Sequence, residues 1–174
     1  MCRRYSGPLK AEHVTIHERS VSDVVIRLAQ FSDCNQLALL REALWPKSSA
    51  EEHTLELTLI LEGKAPVTMP LIILVAETTD RTLAGFLEVD LRSHADGCEP
   101  SYPVGYIEGW YVVEHSRRRG IGRKLLAAAE DWARSQGCVE IASDTWIDNE
   151  VSQRVHESLG YEVVDRCVHY RKRL

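Results

Sequence analysis

The apolar positions change period several times along the chain, and each change marks an element. "VVIRLAQ" at 24–30 alternates and predicts a short strand. Ser32 and Asp33 then offer N-caps to a helix carrying "CNQLALLREALW", which Pro46 stops. "SSAEEHTLELTLILEG" places a serine before early acids and helically spaced apolar residues, predicting a second helix that ends at Gly63. After the turn segment "APVTMP", the run "LIILVAE" (71–77) reads as a buried strand. "LAGFLEVDLRS" (83–93) reads as its hairpin partner across "TTDRT". "VGYIEGWYVVE" (104–114) is a third strand of this part, interrupted by glycine near its centre.

Ile121, Leu125, Ala128, Ala129 and Trp132 recur at helical spacing up to Gly137. "CVEIASDT" (138–145) predicts a strand, "NEVSQRVHESLG" (149–160) a helix stopped by Gly160, and "YEVVDRCVHYRKR" a closing strand. Residues 1–23 are polar and irregular and read as a loosely structured N-terminal extension to a domain spanning 24–174. The order β-α-α-β-β-β-α-β-α-β describes a layered α/β domain with one βαβ crossover, from 104–114 through 120–137 to 138–145.

Composition narrows this picture. The 174 residues fit one domain, and 44% hydrophobic with 27% charged residues is ordinary for a soluble globular chain. No window approaches the roughly 20 apolar residues of a membrane span. The opening "MCRRYSGPLKAEH" lacks the apolar core of a secretory signal, so a cytoplasmic protein is expected. The five scattered cysteines form no Cys-x-x-Cys pair and have no His spacing suited to zinc, so free thiols and no metal are expected.

Charge is uneven. Every charged residue from Arg117 to Lys124 is positive, whereas 140–165 is mostly acidic, with Glu140, Asp144, Asp148, Glu150, Glu157, Glu162 and Asp165 against Arg154. One basic turn beside an acidic segment suggests two ligands of opposite sign. A net charge of −5 and so small a basic surface argue against nucleic acid.

The basic turn reads Arg117, Arg118, Arg119, Gly120, Ile121, Gly122 and sits where a strand hands over to an amphipathic helix. Glycines there let backbone N–H groups approach a ligand. The helix N-terminus adds unpaired donors and a partial positive charge, and arginines add bidentate phosphate contacts. No Gly-Lys-Ser/Thr follows, so this is not a P-loop, and it is not the Gly-x-Gly-x-x-Gly of a dinucleotide fold. A diphosphate-type ligand is the expectation, against a purely structural turn.

"YVVEHSRRRGIGRKLLAAAEDWA" resembles motif A of the GNAT superfamily of acyl-CoA-dependent N-acetyltransferases, and "NEVSQRVHESLGY" resembles the motif that follows it. "REALWP", "YIEGWYV", "GCVEIASDT", "DNEVSQRVHESLGY" and the tail "VHYRKRL" are together similar to the aminoglycoside 6'-N-acetyltransferases, bacterial antibiotic-resistance enzymes. The resemblance covers 24–174. It implies a central mixed, largely antiparallel sheet flanked by helices, acetyl-CoA as the acetyl-donor cosubstrate, and a homodimer that packs or exchanges C-terminal strands. Two positions depart from the superfamily pattern: Glu114 stands where a proline is common, and His156 where many members carry an acid tyrosine.

The implied site follows residue by residue. Backbone groups of Trp110, Tyr111 and Val112 would meet the acetyl group and pantetheine. Arg117, Arg118, Arg119, Gly120, Ile121, Gly122 and Arg123 would cradle the pyrophosphate, and Asn149 would reach the pantetheine arm. Glu108, Asp144 and Asp165 match the aminoglycoside contacts, Trp45 an aromatic wall, and His94 a position where relatives carry tyrosine. Glu108 is the candidate base, with His156 and Tyr170 as alternatives for the acid. From the residues alone, Glu108 reads more readily as a paired structural carboxylate, Asp144 as a helix-side cap and Trp45 as core. Two rival functions keep the coenzyme site: transfer to a polyamine or protein amine, and non-catalytic acyl-CoA binding.

Overall fold

The computed structural model describes residues 24–66 and 68–173; the predicted extension 1–23 lies outside the described residues. The elements are β1 (Val24–Leu28), α1 (Cys34–Leu44), α2 (Ala50–Leu61), β2 (Leu71–Thr78), β3 (Leu83–Arg92), β4 (Val104–Val112), α3 (Ile121–Ser135), β5 (Glu140–Ser143) and α4 (Glu150–Ser158). They build one five-stranded sheet in the order β1-β2-β3-β4-β5. The first four strands are mutually antiparallel, and β5 lies parallel to β4 after the α3 crossover. The mixed, largely antiparallel sheet expected from the sequence is the one observed.

Helices cover both faces of the central strands, which is why β2 reads as a continuous apolar run instead of an alternating one. On one face α3 packs Ile121, Leu125, Leu126 and Ala129 against Leu74, Ala76, Leu87, Val89 and Ile107. On the other, α1 and α2 pack Leu37, Ala38 and Leu57 against Ile73, Val75 and Phe86. Phe86, Leu37, Leu57, Leu87 and Leu125 are fully buried, each worth about 1.5–3 kcal/mol relative to exposure.

Local signals explain the helix ends. Ser49 caps α2 through a reciprocal pair: its hydroxyl accepts from the Glu52 amide at 3.3 Å, and Glu52 accepts from the Ser49 amide at 2.8 Å. Asp33 does not cap α1 as expected. Its carboxylate accepts instead from the Gln30 amide at 2.7 Å and from Arg27 at 2.7 and 2.9 Å. A charge-assisted fork outcompetes a neutral cap bond.

The closing strand predicted over 161–173 is absent: from Tyr161 onward the described chain is irregular and, Tyr161 apart, exposed. The alternation that suggested a strand is present, but no strand of the described residues pairs with it. Val163, Val164 and Val168 therefore face solvent.

The register of β3 against β4 holds the feature that positions the site. Glu88 opposes Gly109 while Val89 opposes Ile107, so Glu108 is an extra residue on β4. Such a bulge re-aims the side chain it carries. The next residue, Gly109, has a packing reason to lack a side chain: an added Cβ would lie 2.4 Å from the Trp45 ring. Trp45 in turn meets Phe86 edge-on at 6.0 Å between centroids. Gly109→Ala is expected to destabilise the fold by about 1–3 kcal/mol through overpacking, read as a lowered Tm. An unchanged Tm would show that Trp45 is not seated on β4.

Candidate active site

β4 runs from an acidic patch at its start to a basic turn at its end. After the short helical turn Glu114–Ser116, Arg118 is a non-glycine residue in the left-handed region at φ 60°, and Gly120 follows at φ 78° as the N-cap of α3. No side chain caps this helix. Its first amides therefore keep donors with no intrahelical acceptor, and left-handed residues so close together form an anion-binding concavity. Arg117, Arg118, Arg119 and Arg123 are exposed around it. Gly122 brings the helix down onto the Trp110 ring, whose nearest atom is 3.0 Å from an added Cβ.

β5 pairs with β4 only from Val104 to Ile107. Beyond that point β4 keeps β3 on one side and has no strand on the other. Val113 donates its amide to Ala84 on the β3 side, at 3.0 Å. By the alternation of an antiparallel ladder, Val112 and Trp110 then direct their backbone groups outward. Val112 confirms this, because its carbonyl accepts from the Arg117 Nε at 2.8 Å. Tyr111 turns its ring to the opposite helical layer, 6.4 Å from Phe86, with the Arg117 guanidinium 5.6 Å above it. An extended ligand bearing amides has an open strand edge to pair with, leading to the basic turn.

His156, on α4, stands beside that open edge, and Asn149 precedes the same helix. Asn149 is the N-cap, accepting from the Ser152 amide at 3.1 Å. His156 meets Trp110 edge-on at 5.8 Å and Tyr161 edge-on at 5.1 Å. Its Nδ1 lies 2.8 Å from the Ser152 carbonyl oxygen. The Trp110 Nε1, the His156 Nε2 and the Tyr161 hydroxyl are all buried without a hydrogen-bond partner in the protein. Burial also pushes the Tyr161 hydroxyl well above its usual pKa. Three neighbouring orphaned polar atoms need water or a ligand. Tyr161 was not singled out in the sequence, where it reads only as the residue after a helix stop.

The acidic patch gathers around Tyr106. Its hydroxyl donates to Asp144 at 3.0 Å, and burial together with that bond pushes its pKa up to about 12. Glu108 is ion-paired with Arg92, whose guanidinium carbon lies 3.3 Å from the Tyr106 ring centroid. Asp90 completes the group: burial, then the neighbouring Glu108, raise its pKa to about 6. Beneath them Glu88 is 3% exposed. Arg41 reaches it at 3.0 Å and Glu56 at 2.9 Å, while lying 5.2 Å from the Trp45 ring. Burial drives Glu88 up to about 7, against the opposing pull of Arg41 and with Glu56 and Glu108 adding to it.

The structure thus brings Glu108 and Asp144 together, and sets Trp45 against Gly109, the residue after Glu108. It does not bring the other expected contacts there. His94 is exposed, with its Nε2 3.6 Å from Asp96. Asp165 accepts from the Arg166 amide at 2.6 Å in the exposed tail, and Tyr170 is 92% exposed. Asp90, Arg92 and Glu88 went unnoticed in the sequence because alternating charges on a strand look like a solvated face. A cavity of about 500 Å³ opens between α1, the β2–β3 turn and the basic turn, touching Arg119 and Ile121 but none of the acids around Tyr106. Among the described residues, no group of three His, Cys, Asp or Glu side chains is arranged to hold a metal.

A mixed sheet with a basic strand-turn-helix junction at an uncapped helix N-terminus, and an open strand edge beside it, is the architecture of an acyl-CoA-dependent transferase. The acetyltransferase (GNAT) family model matches residues 37–161, and the chain belongs to that family. It is 38% identical over 153 residues to an aminoglycoside N(6')-acetyltransferase type 1 from Klebsiella aerogenes, covering 88% of this chain and 99% of that protein. A Serratia marcescens protein of the same name is 43% identical over 136 residues, covering 78% and 89%. Among solved structures, the aminoglycoside acetyltransferase AAC(6')-Iy in complex with a bisubstrate analog, CoA-S-monomethyl-acetylneamine, superposes with a TM-score of 0.76 at 34% identity. That match covers 87% of this chain and 99% of that one.

The buried carboxyl makes a prediction about stability. A folded pKa near 7 against an ordinary value of 4.5 means that the native state holds a proton which the unfolded chain has lost. Glu88 therefore costs stability progressively as pH rises from about 4.5 to about 7, and the cost is constant above that. Glu88→Gln should gain Tm relative to the parent across that window. A Tm difference that stays flat with pH would place the Glu88 titration elsewhere.

Proposed function

We propose that this protein transfers the acetyl group of acetyl-CoA to the 6'-amine of aminoglycoside antibiotics by direct attack of the amine on the thioester, giving resistance to these drugs. The observation that carries the reading is that one strand, β4, bears the acidic patch around Glu108 and leads into the basic turn at Gly120. Four residues separate Glu108 from the end of β4, roughly 13 Å at the rise of a strand, a span suited to an extended pantetheine arm. A polycationic amine and a polyanionic coenzyme are thereby directed to opposite ends of one track.

Acetyl-CoA supplies the thioester carbonyl that is attacked and the thiolate that leaves. The amide donors at the α3 N-terminus and Arg117, Arg118, Arg119 and Arg123 hold its pyrophosphate, with Gly120, Ile121 and Gly122 giving the close approach. The outward backbone groups of Trp110 and Val112 pair with the arm, Tyr111 holds Arg117 in place, and Asn149 closes the other side. Glu108 accepts the proton from the substrate ammonium, directly or through water, and Asp144 binds the drug's positive charge. Trp45 forms the apolar wall beside Glu108, and His94 lies on the loop after β3 within the substrate's reach. His156 is the acid for the leaving thiol in preference to Tyr170, because its Nε2 is buried and unpartnered beside the open edge of β4.

The deciding experiment is thiol release from acetyl-CoA with kanamycin, tobramycin, a 6'-hydroxyl analogue of kanamycin, spermidine and a lysine peptide. Turnover is expected with the two drugs and not with the 6'-hydroxyl analogue. Asp144→Asn should raise KM for the drug severalfold while leaving acetyl-CoA affinity unchanged. Turnover confined to spermidine or the peptide would move the enzyme to another amine, and no turnover with any amine would leave an acyl-CoA-binding module.

The protein acts as a homodimer in the cytoplasm. No helix of the described residues is long and apolar enough to cross a membrane, and Cys34, Cys98, Cys138 and Cys167 are free thiols. Trp146, Ile147, Val151, Val163, Val164 and Val168 are exposed apolar side chains, and among the described residues β5 is bonded along one edge. A second copy supplies the strand that the tail lacks, bringing Asp165 of the tail to a site between the chains. Light-scattering mass should give a dimer for the full chain and a monomer after deletion of 162–174; a full-length monomer would overturn this.

A further inference from the structure

Arg92 is the last residue of β3, and its guanidinium is held on three sides. Glu108 accepts from its Nη2, the Tyr106 ring lies flat beneath its carbon at 3.3 Å, and Asp90 faces its Nε at 3.9 Å. Tyr106 in turn carries Asp144 on its hydroxyl. Carboxylates from β3, β4 and the residue after β5 thus gather about one aromatic ring, Asp144 at its hydroxyl, and a cation lies on its face. Carboxylates around an aromatic ring are the chemistry that binds an ammonium group. The seat is built for a cation, and a side chain of the protein fills it.

Two features separate an exchangeable occupant from a fixed anchor. An anchor for Glu108 would be buried and forked, whereas Arg92 and Glu108 are 39% and 34% exposed, and an ion pair so accessible to water is held weakly. Asp90 also gains little from Arg92. At 3.9 Å the contact is beyond hydrogen-bond range, and the Asp90 Oδ1 is buried without a partner. An orphaned buried carboxylate oxygen aimed at a cation site awaits a better donor than the one present. Beyond Arg92 the chain leaves the strand into the exposed Ser93 and His94, so the side chain has open space to swing into.

We propose that Arg92 is a tethered competitor: its guanidinium fills the seat that the substrate's ammonium takes, and binding requires it to swing out. This rests on the reading that Glu108 faces the amine substrate. The device selects for charge, because an incoming ligand must replace the cation it displaces and gains only from what it brings beyond that. A polycationic amine meets that demand by also engaging Asp144 and Asp90, while a simple monoamine exchanges one cation for another at no profit.

Calorimetric affinity for tobramycin separates the possibilities, using Arg92→Met, which keeps the stem and removes the charge, alongside Glu108→Gln. Arg92→Met is expected to tighten tobramycin binding by about two- to fivefold, the range of one accessible ion pair, with acetyl-CoA affinity and Tm unchanged. A merely structural role for Arg92 would give weaker binding, and weaker or equal binding in the folded variant overturns the proposal. Glu108→Gln should weaken tobramycin; if it does not, the substrate reading of Glu108 itself fails, whatever Arg92 does. Should Arg92→Met not fold, Arg92→Lys, which loses the planar fork, should still tighten binding, and weaker or equal binding would reject the competitor role.

Discussion

Everything at this site depends on β4 being bonded along one edge for its full length and along the other for less than half of it. β3 pairs with β4 from Val104 to Val112, while β5 stops at the partner of Ile107. A strand fully paired on both sides has no backbone groups to offer a ligand, and one unpaired on both sides would have no fixed position. The half-paired state gives a rigid strand with outward amides and carbonyls. The sheet edge, ordinarily a liability, is under the proposed function the track for the coenzyme arm.

The bulge sits where the second edge opens. β5 has its last partner at Ile107, and the extra residue is Glu108. One irregularity thus places a carboxylate at the head of the open track, and Gly109 after it admits Trp45 across the strand. The ring and the acid are neighbours because a residue without a side chain stands next to the bulge. The two ends of the track then differ in how they carry charge. At the basic end, fixed backbone dipoles and exposed arginines lie together, Arg117 anchored on the Val112 carbonyl and the Tyr111 ring. At the acidic end, side chains crowd until burial and mutual repulsion raise Asp90 and Glu88 toward neutrality.

The elements were largely readable from periodicity because α3 and the β2–β3 hairpin follow local rules: a one-sided apolar stripe, continuous buried runs and glycine stops. The basic turn stood out in the sequence because its residues are contiguous in the chain, and the structure sets them at the uncapped N-terminus of α3. The acidic patch was only half readable. Glu108 and Asp144 emerged through family resemblance, but Asp90 and Arg92 converge on Tyr106 through a strand register that no local pattern encodes. Arg41 and Glu88 were not singled out in the sequence and form a buried pair. Asp33 was read as a helix cap and instead serves Arg27, since a capping signal does not reveal a competing arginine brought in from β1. The tail reads as a strand because its alternation is real, yet a strand is a relationship between two segments, and the described residues supply one of them.

The local rules that this fold breaks are concentrated along β4 and its immediate neighbours. Arg118 takes a backbone conformation suited to glycine. Trp110, His156 and Tyr161 bury polar atoms without partners, as does Asp90. Glu88 is a carboxyl without full compensation. Away from this strip the departures are fewer, Arg81 at φ 62° in the β2–β3 turn among them, and local signals hold in the reciprocal cap at Ser49 and the apolar layers on both sheet faces. A chain selected for stability alone would be free to replace these residues with well-packed apolar ones or with satisfied pairs. Their alignment along one half-open strand is what a binding track requires: donors without acceptors at one end, acids without enough cations at the other, and an unpaired edge between them.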